Sequence, residues 1–281
     1  MKTYVQQIVL GSIIKNEEQT SALLKQIKEA GYTGLELNHF MIHHSPLAVK
    51  ILTGLFGMPA GKSGDLNWFK MVTENDIEVI SLHVDLGSLE KDVKGICEQA
   101  KQLSAKYIVI TGMYRYDYQD EDKVLELANR LNAAGKAVKE NGLELLYHNH
   151  NVELLKTKSG KCAYEILIEK TDPEYLNFEF DSYWFTDGGA DAMQWMKKLG
   201  KRMKLWHIAD RGSRLKKLPM TPIIKSDVLE LGAGNMDLLG MKQIAIENET
   251  EAVILECHRN FVDKDPLKCI QLSGEWLKEN L

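Results

Sequence analysis

Imidazoles and carboxylates recur in this chain at the ends of short apolar runs. The stretch "LELLYHNHNVELL", residues 143–155, begins like a buried strand and finishes on His148, Asn149 and His150, with Glu153 three residues on. Of eight histidines, His39, His83, His148, His150, His207 and His258 all follow or close such runs, while His43 and His44 lie elsewhere. Glu36, Asp181, Asp210 and Glu256 share the bias. A carboxylate at the top of an apolar strand is costly to bury without a compensating positive charge. Only Arg115, Arg211 and Arg259 stand close enough in sequence to supply one. A divalent cation held by His148, Asp181, His207 and Glu256 is the economical alternative, against a hydrogen-bonded network without metal. Mixed nitrogen and oxygen donors suit Mn, Zn, Co or Fe, with Mg also compatible, better than Ca.

Those residues need a scaffold that gathers strand ends. Apolar, β-branched runs predict strands at 7–11, 33–37, 78–84, 107–111, 143–148, 176–181, 203–208 and 252–256. Helical spacing separates them, as in Leu23, Leu24, Ile27 and Ala30, or Val124, Leu127, Ala128, Leu131 and Ala134. Ser88 is expected to cap a helix that turns Val93, Ile96, Cys97 and Ala100 inward, and Gly31 and Gly142 sit where helices should stop. Eight alternating strand–helix units predict a (β/α)8 barrel, an α/β TIM barrel formed as a single domain over 1–281. In that fold the C-terminal strand ends meet on one face, where active sites sit. The first strand–helix turn, "GSIIKNEE", lacks the GxGxxG of a dinucleotide fold. Residues 40–66 and 211–236 are longer excursions, the first expected to carry a loop and short helix over one barrel face.

The bulk numbers exclude several classes. Hydrophobic residues at 44% and charged residues at 27% are those of a soluble globular chain. A formal charge of −5 leaves no basic footprint for nucleic acid. No apolar segment approaches the roughly 20 residues that span a bilayer. The N-terminal residues run into a predicted strand rather than a signal peptide. Four cysteines without CxxC spacing fit a reducing compartment, so a cytoplasmic location is expected.

Several segments resemble the xylose isomerase-like TIM-barrel superfamily of sugar phosphate isomerases and epimerases, nearest its inosose dehydratase and keto-sugar epimerase branch. They are "YHNHNVEL", "FEFDSYWFTDGGAD", "WHIAD", "LGAGNMD" and "ILECHRNFVDKDPLKCIQLSGEWLKENL", and the likeness runs along essentially the whole chain. The resemblance implies one divalent metal held by a strand-five glutamate, a strand-six aspartate, a strand-seven histidine and a strand-eight glutamate. Asp181, His207 and Glu256 carry over. His148 stands where most members have the glutamate, so either its imidazole is the ligand or Glu153 folds back. The family's usual lysine before the strand-seven aspartate is replaced by Ala209.

A metal that chelates adjacent carbonyl and hydroxyl oxygens polarises the carbonyl and favours an enediolate. A carboxylate or imidazole in reach removes the proton. Glu256, His150 and Glu153 are the candidates for that role. Glu36, His83, Asn149, Tyr183, Trp184, Asp210, His258 and Arg259 are expected to face the substrate, and Trp68 to close over it, whereas Trp206 reads as core. The expected function is a metal-dependent sugar isomerase or epimerase acting on a small keto-sugar or related polyol. The alternative is a dehydratase, a lyase of an inosose or similar cyclic ketose. A metal-free sugar-binding barrel is the reading from another class. The expected partners are a small carbohydrate and further copies in a homodimer or homotetramer, with Trp276 and Leu277 on the terminal helix equally able to pack on the barrel or against a neighbour; no nucleic acid or membrane partner is expected.

Overall fold

The computed structural model describes residues 1–43, 63–215 and 217–281. Eight parallel strands close into a barrel: β1 (Lys2–Gln6), β2 (Gly34–Asn38), β3 (Glu78–Val84), β4 (Tyr107–Thr111), β5 (Glu144–His148), β6 (Leu176–Asp181), β7 (Met203–Ile208) and β10 (Ala252–Leu255). The remaining strands, β8 (Asp210–Gly212) and β9 (Asp227–Leu229), form a small antiparallel pair inside the excursion after β7. The chain thus forms the expected single TIM barrel. Within the first excursion, residues 44–62, including His44, lie outside the described residues.

The first strand is misplaced by the apolar-run rule. QIVL, 7–10, is a buried single-turn helix, and the barrel strand is the preceding KTYVQ. Gln6 ends the strand by accepting the Ile8 amide at 2.6 Å, and Gln7 accepts the Asn38 amide at 2.8 Å. A short apolar run does not by itself distinguish a buried turn from a strand.

Helices cover the outside for the reasons the spacing suggested. Helix Glu121–Glu140 buries Val124, Leu127, Ala128, Leu131, Ala134, Gly135 and Val138 as one stripe, and Asp120 caps it through the Asp122 and Lys123 amides. Ser88 is not a cap: it lies within helix Leu86–Lys91, whose cap Asp85 accepts its amide, and Asp92 caps the next helix, Val93–Gln102. Gly31 (φ 100°) and Gly142 (φ 75°) end their helices in the left-handed region. Gly34 lets β2 meet β3, since a Cβ there would fall 1.9 Å from the Glu78 carbonyl oxygen.

Trp68 begins helix Trp68–Glu74, is 1% exposed and donates its indole N–H to the Ser63 carbonyl, so it is core and not a cover for the site. Trp206 is core as expected. The terminal helix, Pro266–Asn280, buries Leu277 against the barrel and packs a half-buried Trp276 against Gly232.

Inside the barrel, Tyr4, Ile80, Tyr107, Val109, Leu146, Leu205, Ala252 and Ile254 form their own apolar cluster. Leu146, Leu205 and Ile254 stand two residues before His148, His207 and Glu256. Strand alternation therefore places those three polar side chains on the same inner face, one layer nearer the C-terminal end.

Candidate metal centre

His148 closes β5, Asp181 closes β6, His207 is the penultimate residue of β7 and Glu256 directly follows β10. Barrel closure brings one donor atom from each within 4.8 Å of the others. His207 Nδ1 lies 2.7 Å from Glu256 Oε2 and 3.9 Å from Asp181 Oδ2, and His148 Nε2 lies 4.0 Å from Glu256 Oε2. Glu256 is the only one of the four that reaches solvent appreciably, its side chain 16% exposed.

A second polar layer lies beneath. Glu36 on β2 and Glu179 on β6 are 0% exposed. His207 Nε2 sits 2.6 Å from Glu36 Oε2 and 3.2 Å from Glu179 Oε2, and His148 Nδ1 sits 3.1 Å from Glu179 Oε2. His83 Nε2 is 2.9 Å from both carboxylates, and Ser81 Oγ donates to Glu36 Oε1 at 2.5 Å. Glu179 Oε1 is buried without a hydrogen-bond partner.

The charges follow from this packing. Burial works against the Glu179 charge, yet His207 and His83 hold its carboxyl well below the usual range. Burial likewise opposes protonation of His83, but Glu36 and Glu179 raise its pKa to about 10. His207 is raised well above the ordinary imidazole value against burial, by Glu179 and Glu36. Glu256, also opposed by burial, is kept below the carboxylate range by the His207 hydrogen bond and the neighbouring imidazoles. Asp181 goes the other way: burial and then the Glu256 charge push it well above its usual value. Two buried carboxylates that repel each other beside two imidazole nitrogens fit a divalent cation, which would relieve that repulsion. Two oxygen and two nitrogen donors match Zn, Mn, Co or Fe.

Of the other expected residues, some face this centre and others support it from behind. His150, two residues past the end of β5, contacts the His148 ring and the Trp184 indole at centroid distances of 5.0 and 5.6 Å. Burial, then His148, lower its pKa to about 3, so it is neutral at physiological pH. Trp184 stacks on His258 at 5.3 Å, with the Arg259 guanidinium 5.8 Å from the indole centroid. These four side chains form one wall beside Glu256.

Six residues take roles other than the expected ones. Glu36 and His83 were expected at the substrate but belong to the layer beneath. Asn149 points away from the centre and clamps β5 to β6, accepting the Asp181 amide and donating to the Asp181 carbonyl, both at 3.0 Å. Glu153 neither folds back to the ligands nor faces the substrate side: it is 0% exposed and accepts the Tyr147 hydroxyl at 2.8 Å and the His150 amide at 2.9 Å. Tyr183 is 1% exposed and accepts from Arg259 through its hydroxyl, so only its neighbour Trp184 offers a ring face. Asp210 is consumed by the backbone, its two oxygens accepting the amides of Arg211, Gly232, Gly234 and Met236. That clamp explains Gly232–Asp237: Gly232 has φ 81°, a Cβ on Gly234 would lie 2.3 Å from Asp210 Oδ1, and Asp237 caps helix Leu238–Glu247.

Glu179 and Ser81 were missed. Their signal was period two, since Glu179 precedes Asp181 and Ser81 precedes His83 by two residues on their strands.

Residues 24–280 match the family model of the xylose isomerase-like TIM barrel. The chain belongs to that family. It is 26% identical over 237 residues to an inosose dehydratase of Mesomycoplasma hyopneumoniae, which covers 78% of this chain and 68% of the relative. Among solved structures, a sugar phosphate isomerase/epimerase from Parabacteroides distasonis superposes with a TM-score of 0.75 at 21% identity, covering 99% of this chain and 93% of that one. The protein IolI with a bound zinc atom superposes with a TM-score of 0.66 at 15% identity, covering 99% and 97%. These two share the fold.

Proposed function

We propose that the protein is a divalent-metal-dependent isomerase or epimerase of a small keto-sugar or related polyol. The observation that carries this is the convergence of His148, Asp181, His207 and Glu256 at the C-terminal mouth of the barrel, with Glu256 ionised and partly open to solvent. The zinc in the IolI structure and the names of the isomerase, epimerase and dehydratase relatives support the same reading. When bound, the cation would polarise a sugar carbonyl and acidify the adjacent C–H.

The chain's own residues then have separable roles. Glu256 receives the proton at its carboxylate oxygen or returns it. His150, kept neutral by burial, accepts or donates a hydrogen bond to a sugar hydroxyl. Trp184, stacked on His258 and with the Arg259 guanidinium over its ring, offers an aromatic surface for a sugar. Return of the proton to the other carbon gives isomerisation, and return to the opposite face gives epimerisation.

The second reading is dehydration of a cyclic ketose, favoured by the inosose dehydratase relatives and by imidazoles beside the carboxylate. Here loss of the proton is followed by departure of a β-hydroxyl. One experiment tests both. Ketoses, inososes and 3-keto-glycosides incubated in deuterated water with Mn should show exchange of the proton α to the carbonyl, lost in Glu256→Gln. A new sugar identifies isomerisation or epimerisation, and an unsaturated or dione product identifies dehydration. Absence of exchange with every member of the panel would refute the catalytic reading.

A further inference from the structure

Two imidazoles at this centre meet carboxylates through opposite nitrogens. His207 turns Nδ1 toward Glu256 and Asp181 and Nε2 toward Glu36 and Glu179. His148 does the reverse, with Nε2 toward Glu256 and Nδ1 toward Glu179. A neutral imidazole offers a lone pair on only one nitrogen, and the hydrogen bond made by the other decides which. Resting on the metal reading above, we infer that Glu36 and Glu179 are positioning residues that lock these histidines in opposite tautomers. His207 then binds the cation through Nδ1 and His148 through Nε2.

The lower carboxylates are built for that task. Glu36 is held by Ser81, and His83 ties Glu36 to Glu179 through one nitrogen 2.9 Å from each. None of these groups can relax into water: Ser81, Glu36 and Glu179 are 0% exposed and His83 is 5%. Glu179 pays no role in the backbone scaffold: Oε2 faces only imidazoles, and Oε1 has no hydrogen-bond partner. A carboxylate kept buried for structure alone is normally saturated. One oxygen of Glu179 therefore accepts the His148 N–H, backs the His207 N–H that Glu36 receives, and sets both rings relative to the cation above.

His83, His148, Glu179 and His207 also bring donor atoms within 4.8 Å of one another, which raises a second, deeper cation seat. Filling both seats would require His148 and His207 to bridge two metals as imidazolates, each stripped of its remaining N–H. A single cation above a layer that receives those N–H groups needs neither deprotonation. The lower layer is thus a support for the cation seat and not a second seat.

The test is a two-bond 1H–15N correlation spectrum of the 15N-labelled, zinc-loaded protein, with zinc counted by elemental analysis. The expected result is one zinc per chain, bound at Nδ1 of His207 and Nε2 of His148, with protons on the other two nitrogens. Glu179→Gln should weaken zinc by about 10- to 100-fold, and Glu179→Leu by at least as much, both checked for fold by circular dichroism. If neither variant folds, the wild-type spectrum decides alone. Coordination through the same nitrogen in both histidines, two zinc ions per chain, or unchanged affinity in both folded variants would overturn the inference while leaving a metal centre standing. A wild type that binds no zinc or other divalent ion overturns the metal reading, and this inference with it.

Discussion

Glu153 shows how one side chain can sit in a family-like motif and serve the scaffold instead. Burial raises its pKa from 4.5 to about 7, only partly offset by hydrogen bonds from Tyr147 and the His150 amide. A carboxyl raised in the native state contributes stability that is full below its unfolded value near 4.5 and lost as pH rises through about 7. The span amounts to roughly 3 kcal/mol. Glu153→Gln should remove this loss, so its Tm relative to wild type should climb between pH 4.5 and 8. A constant offset across that range in paired thermal melts would refute the assignment. The ligand residues make a different prediction. Asp181→Ala or His207→Ala should abolish retention of divalent metal, because losing one donor from a four-donor set strongly weakens binding. Elemental analysis of purified variants that remain folded checks it, and wild-type metal content in both would exclude the site.

At the scale of elements, the centre depends on connections that contribute no donor. The Asn149 amide joins the ends of β5 and β6, which fixes His148 against Asp181. Asp210 draws the 232–236 turn onto the end of β7, and the Arg259–Asp227 pair at 2.8 Å ties the segment after β10 to β9. Asp210→Ala would leave four amides without their acceptor. The expected cost is about 1–3 kcal/mol, concentrated in this turn. Hydrogen exchange at Gly232, Gly234 and Met236 should quicken while the barrel strands keep their protection. Uniform acceleration over the whole chain would instead mean global destabilisation.

For the whole molecule, the centre joins residues from distant parts of the chain, as in the pair His207–Glu36, 171 residues apart. A cation bound there would hold β5, β6, β7 and the end of β10 together. Folding and metal binding should therefore be linked: at a free metal concentration a hundredfold above Kd, stabilisation is about 2.7 kcal/mol. Wild type should melt a few degrees higher with Mn or Zn than with chelator, and Asp181→Ala should lose the difference. An equal rise in both would indicate metal bound elsewhere. Among the described residues, no helix is long and apolar enough to cross a membrane.

Much of the architecture was legible because strand and helix periods are local. Seven of the eight barrel strands lie within a residue or two of the apolar runs, and the polar residues at their ends were visible as such. The exception, β1, failed because its neighbour QIVL is equally apolar and equally buried. Asp181, His207 and Glu256 were named from strand position and family likeness, and His148 from its place in "YHNH". What local pattern could not decide was the partner of each polar group. Alternation assigns His148 and Asn149 to opposite faces, but only barrel closure shows that one reaches Glu256 and the other the Asp181 backbone. Period two sets Glu179 on the same face as Asp181, but its role shows only once three imidazoles from β3, β5 and β7 arrive around it. Sequence determined which residues stand at the strand ends; tertiary structure decided which of them meet, since the distances that govern hydrogen bonding and coordination are set across the barrel and not along the chain.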